Sequence, residues 1–313
     1  MGLNYINRNL EDFNRYLYKR KIAIIGLDKS SIPIIDYFHR HNAKISVFDE
    51  RPLDKLQINI VERIINYDMS YSLGDLSLRK LKNVDLIIKS PKYRYDLEEI
   101  LSAEHCGAIL TSVNELLIKL CPGKVIGIVG CYSESLISMI CMALRSSGYN
   151  CLLDNDSCRP LLPRANEMNP KSVLIIQFDE KELLGMDYNP DILIIADVKK
   201  ELDDSFMTYE EYTSSLTTIS LRQIQEGGTL AVNADNNPIL QYLPLGNENI
   251  IPYSTYQKLE NGVIYDRGTI KISKDGLRKH YVTIDKKDLH MNNHISDICA
   301  CIAGTMKLIE GQN

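Results

Sequence analysis

Residues 124–136 read KVIGIVGCYSESL: a β-branched apolar run, glycines at 127 and 130, and then a lead into the helix-period segment SLISMICMAL. Strand, glycine turn and helix in that order make the basic unit of a parallel α/β sheet, and a phosphate-binding loop takes the same form. The pattern extends in both directions. Before it come KIAIIG (21–26), KISVFDE (44–50), VDLIIKS (84–90) and AILT (108–111), interleaved with helical stretches such as SIPIIDYFHRH, DLEEILSAEH and SVNELLIKL. After it come YNCLLD, SVLIIQF, DILIIAD and TLAVNAD, with helices expected near 134–147 and 208–225. Two alternating series separated at CPG (121–123) predict two α/β domains, each with a sheet covered on both faces.

Further on the period changes. GVIYDRGTIKIS and LRKHYVTIDKK alternate with period two around KDG (274–276), which predicts an antiparallel hairpin added to the second sheet. NHISDICACIAGTMKLI then reads as an amphipathic helix near the end of the chain.

The chain has 313 residues, 44% of them hydrophobic and 25% charged, with a net charge of −5 and both signs mixed along its length. That describes a folded globular protein large enough for two domains, and it argues against nucleic acid or a membrane surface as partner. The eight cysteines form no CxxC pair and sit mostly in apolar runs, so they read as reduced core residues of a cytoplasmic protein. No run is long enough to span a membrane. The first 20 residues lack an apolar signal core and place Ile6, Leu10, Phe13 and Leu17 on one helical face.

Three places are candidates for chemistry. The first is GLDKSS (26–31), between a strand and a helix, where backbone N–H groups would face an anion. Of the dinucleotide fingerprint GxGxxG only Gly26 remains, because Asp28 and Ser31 stand at the other two glycine positions. Asp49 closes the next strand, where an acid commonly takes ribose hydroxyls. A plain turn beside a solvated strand end accounts for the same residues.

The second is the loop at 127–136. Gly127, Gly130 and Ser135 suit a phosphate cradle, but Glu134 stands where a phosphate-binding lysine belongs. That exchange turns attraction into repulsion of about 4 kcal/mol per unit charge at about 4 Å and an effective dielectric of about 20. On its own the loop reads as a structural turn. The third comprises acidic clusters after two strands, Asp179 and Glu180, then Glu201, Asp203 and Asp204; each is equally a solvated loop charge. His280, His290 and His294 lack ligand spacing.

Taken together, KIAIIGLDKSSIPIIDYF, KISVFDER, VDLIIKSPKYRYDLEEILSA, GAILTSVNELL, CPGKVIGIVG, ELLGM, PDILIIADV, MTYEEY, GGTLAVNADN and NNHISDICACIAG resemble the Mur ligases, and within them the D-glutamate-adding type, over residues 21 to about 309. The resemblance implies an N-terminal helix (1–20), a Rossmann-like domain that binds the UDP-substrate (21–122) and a central P-loop-type domain (123–313) that would use ATP and Mg²⁺. It also implies a C-terminal amino-acid-binding domain for which the chain leaves no room.

On the uridine side Gly26, Leu27, Lys29, Ser30, Asp49, Glu50 and Arg51 carry over; Lys92, where the family has glycine, reads as a surface lysine. On the ATP side the loop keeps Gly127, Gly130 and Ser135, but Ser133 replaces a glycine, Glu134 the lysine and Leu136 a threonine. Gln177 stands for a Mg²⁺-binding glutamate. In the NxxxDH segment Asp197 stands for the asparagine, Glu201 for the aspartate and Leu202 for the histidine, and Leu216 replaces a carbamylated lysine. The resemblance therefore implies a degenerate ligase with no cofactor and no metal. It would hold a UDP-N-acetylmuramoyl precursor or pair with an active cell-wall ligase, and would self-associate through surface the missing domain otherwise covers. The alternative is an ATP-dependent D-glutamate ligase completed by a separate or truncated C-terminal domain, with altered metal chemistry at Asp179, Glu180, Glu201 and Asp204.

Overall fold

A computed structural model describes residues 9–130, 134–153, 160–186, 188–198, 208–235, 237–283 and 292–310, with only the backbone at 292–294. Ile6, Cys131, Ser133, Cys158, Glu201, Leu202, Asp203, Asp204 and His290, and the side chain of His294, lie outside what is described. Two compact units emerge, with the chain passing from the first to the second at Pro122–Gly123; residues 153–170 and 184–186 belong to the first.

The first unit opens with α1 (Leu10–Leu17), which starts where the Asn9 side chain accepts the Glu11 N–H and buries Phe13 and Leu17. Then follow β1 (Lys21–Ile25), α2 (Ser31–Arg40), β2 (Lys44–Asp49), α3 (Ile58–Asn66), β3 (Ser70–Leu73), β4 (Leu86–Lys89), α4 (Glu98–His105), β5 (Ile109–Thr111) and α5 (Val113–Leu120). The strands form one parallel sheet in the order β3-β2-β1-β4-β5. Four of the five residues of β1 and all four of β4 are buried, because helices cover both faces of the sheet centre. One core cluster joins Ala23, Ile25, Phe48, Ile87 and Ile100. Ser112 and Glu115 begin α5 with a reciprocal capping box.

The second unit contains β6 (Lys124–Val129), α6 (Glu134–Ser146), β7 (Asn150–Leu153), β8 (Ser172–Gln177), β9 (Ile192–Ile195), α7 (Tyr209–Gln225), β10 (Thr229–Asn233), β11 (Ile250–Ser254), β12 (Gly262–Asp266), β13 (Thr269–Lys274), β14 (Leu277–Thr283) and α8 (Asn292–Glu310). The described strands make one sheet in the order β14-β13-β12-β11-β10-β9-β6-β8-β7. A second capping box, Thr208 with Glu211, starts α7. No helix among the described residues is long and apolar enough to cross a membrane.

The added antiparallel element differs from the predicted hairpin. GVIYDRGTIKIS is itself a hairpin: Arg267 and Gly268 turn with φ of 51° and 83°, so β12, β13 and β14 form a three-stranded meander, and β12 runs parallel to β11. Two consecutive positive φ values give the turn whose twist matches the strands it joins.

Candidate functional site

In the first unit the glycine turn is fixed by the strands on either side. Gly26 has a φ of +83°, its N–H donates to the Phe48 carbonyl at 2.8 Å, and a Cβ there would lie 2.6 Å from Ser90 Cβ. Leu27 donates its N–H to Asp49 Oδ2 at 2.7 Å. Arg51 meets the same carboxylate through Nε and Nη2, both at 2.8 Å, and Nη2 also reaches the Leu27 carbonyl. Asp49 is buried. Burial raises its pKa, but the bonds from Arg51 and Leu27 outweigh that and hold it below the ordinary carboxyl value. The Glu50 N–H donates to the Tyr93 hydroxyl at 3.0 Å, and burial pushes that phenol up to about 12.

Several of the loop amides are already engaged. Ser30 N–H donates to Asp28 Oδ1 at 2.9 Å and its hydroxyl to the same oxygen; Asp28 N–H donates to Ser31 Oγ at 3.0 Å; the Ser31 hydroxyl donates to the Gly26 carbonyl at 3.2 Å. A carboxylate thus sits just ahead of α2, beside its N-cap residue Ser30, where the helix dipole and N–H groups would attract an anion. Lys92 Nζ stands 3.8 Å from Asp28, so its charge is directed at that carboxylate. Lys29 is exposed and makes no ion pair among the described residues.

In the second unit both glycines that suggest a phosphate loop have packing reasons. A Cβ on Gly127 would lie 2.3 Å from the Phe178 ring and 2.9 Å from Pro190, and one on Gly130, at φ +99°, 2.6 Å from the Asp197 carbonyl. Glu134 is exposed at the first turn of α6. The Ser135 hydroxyl donates to Asp297 Oδ2 at 3.2 Å. Leu136 and Leu216 are core residues, at 0% and 1% exposure. Gln177 ends β8 beside Ile128 and is exposed.

Asp179 accepts the Lys181 N–H at 2.9 Å while its own N–H donates to Glu182, so it shapes the short turn that begins at Glu180. His280 Nε2 lies 2.9 Å from the Thr283 hydroxyl on exposed β14. Among the described residues no three His, Cys, Asp or Glu side chains come together as a metal site.

Sequence reading missed a polar cluster at the carboxyl ends of β9 to β11. Asn233 donates its amide to Asp197 and reaches Ser296 Oγ at 3.4 Å; Asp235 accepts the Thr255 N–H at 2.7 Å and its hydroxyl at 2.8 Å. Asp297 is buried on α8. The available signals were NAD directly after the strand TLAV, and a single carboxylate within the apolar run ISDICACI.

A family model described as "Mur ligase MurD-like, N-terminal domain" matches residues 20–112, which include the whole Gly26–Asp49–Arg51 arrangement. The chain is also 28% identical to the UDP-N-acetylmuramoylalanine–D-glutamate ligase of Acetivibrio thermocellus across 87% of its length and 58% of that protein. For the ligase of the same name from Clostridium acetobutylicum the values are 24%, 94% and 64%. The chain is a Mur ligase homologue of the MurD type. This homologue spans about 58 to 64% of the length of those two curated relatives. Its fold matches the solved UDP-N-acetylmuramate:L-alanyl-gamma-D-glutamyl-meso-diaminopimelate ligase of Neisseria meningitides. That match has a TM-score of 0.53 at 14% identity and covers 92% of this chain and 93% of that one.

Proposed function

We propose that this Mur ligase homologue serves peptidoglycan precursor metabolism as a binding or regulatory protein, and does not carry out ATP-driven D-glutamate ligation. The observation that carries the reading is the fate of the charge-handling positions in the second unit. Where the resemblance puts a phosphate lysine stands Glu134; where it puts a threonine and a metal-bridging lysine stand Leu136 and Leu216, both inside the core.

Joining a carboxylate to a nucleotide triphosphate brings anions together and needs cations or a metal to offset them. The described residues do not fit Mg·ATP on that pattern: the Ser135 hydroxyl is directed at Asp297, and Gln177 carries no charge. In support on the other side, Leu27, Asp49 and Arg51, which the resemblance gives to the uridine side with Gly26 and Ser30, are hydrogen-bonded together, and Asp28 accepts the Ser30 N–H. A UDP-N-acetylmuramoyl precursor, held mainly through its uridine and sugar, or an active cell-wall ligase is the partner this suggests.

Calorimetric titration with UDP-N-acetylmuramoyl-alanine, with and without Mg·ATP, tests the reading. Precursor binding that is indifferent to Mg·ATP supports it. D-glutamate-dependent phosphate release, including with a ligase C-terminal domain added in trans, would establish the alternative, a ligase completed by another domain.

A further inference from the structure

α6 and β7 are joined by a tight turn: the Gly148 N–H donates to the Arg145 carbonyl at 3.0 Å, the Tyr149 N–H to the Leu144 carbonyl at 3.0 Å, and Gly148 takes a φ of +84°. This helix-ending turn fixes the register of the two elements. It sets Cys141, on the inner face of α6, against Cys151 on β7, and the Cys151 thiol lies 3.0 Å from Cys141 Sγ as its hydrogen-bond donor. Both thiols are buried and both are free. One helical turn beyond Cys141, Arg145 extends its guanidinium to the Cys151 carbonyl at 3.4 Å, which places a positive charge beside the sulfurs.

We propose that Cys141 and Cys151 are a redox-active pair that peroxide oxidises to an intrachain disulfide joining α6 to β7. A bonded pair needs a sulfur–sulfur distance of about 2.0 Å, so the sulfurs must close by roughly 1 Å, a side-chain adjustment. The donated hydrogen bond from Cys151, with Arg145 adding to it, holds the Cys141 thiol below the ordinary thiol pKa against the opposing effect of burial, so Cys141 is the nucleophile. Cys301, whose charge would also act on Cys141, is kept as a thiol because burial pushes it up to about 12.

The Cys141 thiolate attacks one peroxide oxygen, breaking the O–O bond to give a sulfenic acid and hydroxide. Cys151, losing its proton to that hydroxide, then attacks the Cys141 sulfur and expels its oxygen as hydroxide, which a solvent proton turns into water. In sum, two thiols and one hydrogen peroxide give one disulfide and two waters, with two electrons passing from the sulfurs to the peroxide. The small size of peroxide suits a buried pair. The bond would tie α6, whose first turn carries Glu134 and Ser135, to the edge strand of the sheet.

The test treats the reduced full chain with stoichiometric hydrogen peroxide, alkylates the remaining thiols in denaturant and maps the peptides by mass spectrometry. The expected product is a linked Cys141–Cys151 peptide, lighter by two hydrogens and restored by dithiothreitol. It should form at least tenfold faster in folded protein than in urea-unfolded protein, and be absent from Cys141→Ser while persisting in Cys106→Ser. Oxidation confined to the exposed Cys106, or a Cys141–Cys151 link that forms no faster in folded than in unfolded chain, would overturn the proposal. The rate comparison uses wild-type protein, so it stands even where a cysteine variant folds poorly.

Discussion

The Asp28 carboxylate lies 2.9 Å from the backbone nitrogen of Ser30, the residue that precedes α2. An acid on the protein itself therefore occupies the place where a helix start in an α/β sheet holds a ligand phosphate. Removing it frees the N–H and takes away a repulsion in a partly exposed setting. Asp28→Gly is expected to bind UDP about tenfold more tightly, on the order of 1.4 kcal/mol, with the gain shrinking as salt rises. Calorimetry at two ionic strengths reads this directly; unchanged affinity would mean that Asp28 does not guard the loop.

Gly127 and Gly130 give KVIGIVG the pattern of a nucleotide loop. Their Cβ positions are blocked by the Phe178 ring and the Asp197 carbonyl. Gly127→Ala and Gly130→Ala are each expected to lower stability by about 1–3 kcal/mol in the absence of any nucleotide. Urea unfolding measures it, and a loss seen only when nucleotide is present would return these glycines to ligand binding.

Asp49 sets a pH dependence. Its folded pKa is below the ordinary carboxyl value, so as pH falls the unfolded chain takes up the proton first. The stability it contributes is complete above the unfolded pKa of about 3.9 and is lost as pH drops through the lower folded value. Asp49→Asn should thus be less stable than wild type at pH 5–7, with the gap closing below about pH 4. Thermal midpoints across that range test the sign; a gap that widens in acid would contradict it.

Glu134 and Leu216, where the resemblance implies lysines, differ in burial. Glu134 is exposed, so Glu134→Lys should fold normally and improve nucleotide triphosphate binding. Leu216 is in the core, so Leu216→Lys should cost on the order of 3 kcal/mol or more, since a buried cation has no partner ready for it. Denaturation curves of the two variants distinguish an altered surface from a closed site.

The sequence made much of this readable. IAII (22–25) and LII (86–88) are continuous apolar runs because their strands are covered on both faces, and that is what reveals a parallel sheet. Elements at the sheet edges were harder to see. β3 is the four-residue run SYSL with two exposed positions, and Pro252 hides β11, since a proline in a strand lying between two neighbours argues against a strand at all. The Gly26, Asp49 and Arg51 arrangement was visible as a pattern, but Asp28 capping its own loop depends on side-chain direction, which spacing does not carry. Asp297 came from the far end of the chain to meet Ser135. A leucine at 216, where the resemblance implies a lysine, was readable, yet only packing shows that the position lies in the core.

Titration of Mg·ATP into the wild-type chain and into Glu134→Lys bears most directly on the claim that ATP-driven chemistry is gone. The expected result is no Mg-dependent heat for wild type up to millimolar nucleotide and measurable heat for the lysine variant. Saturable, Mg-dependent binding by the wild-type chain at micromolar ATP would contradict it.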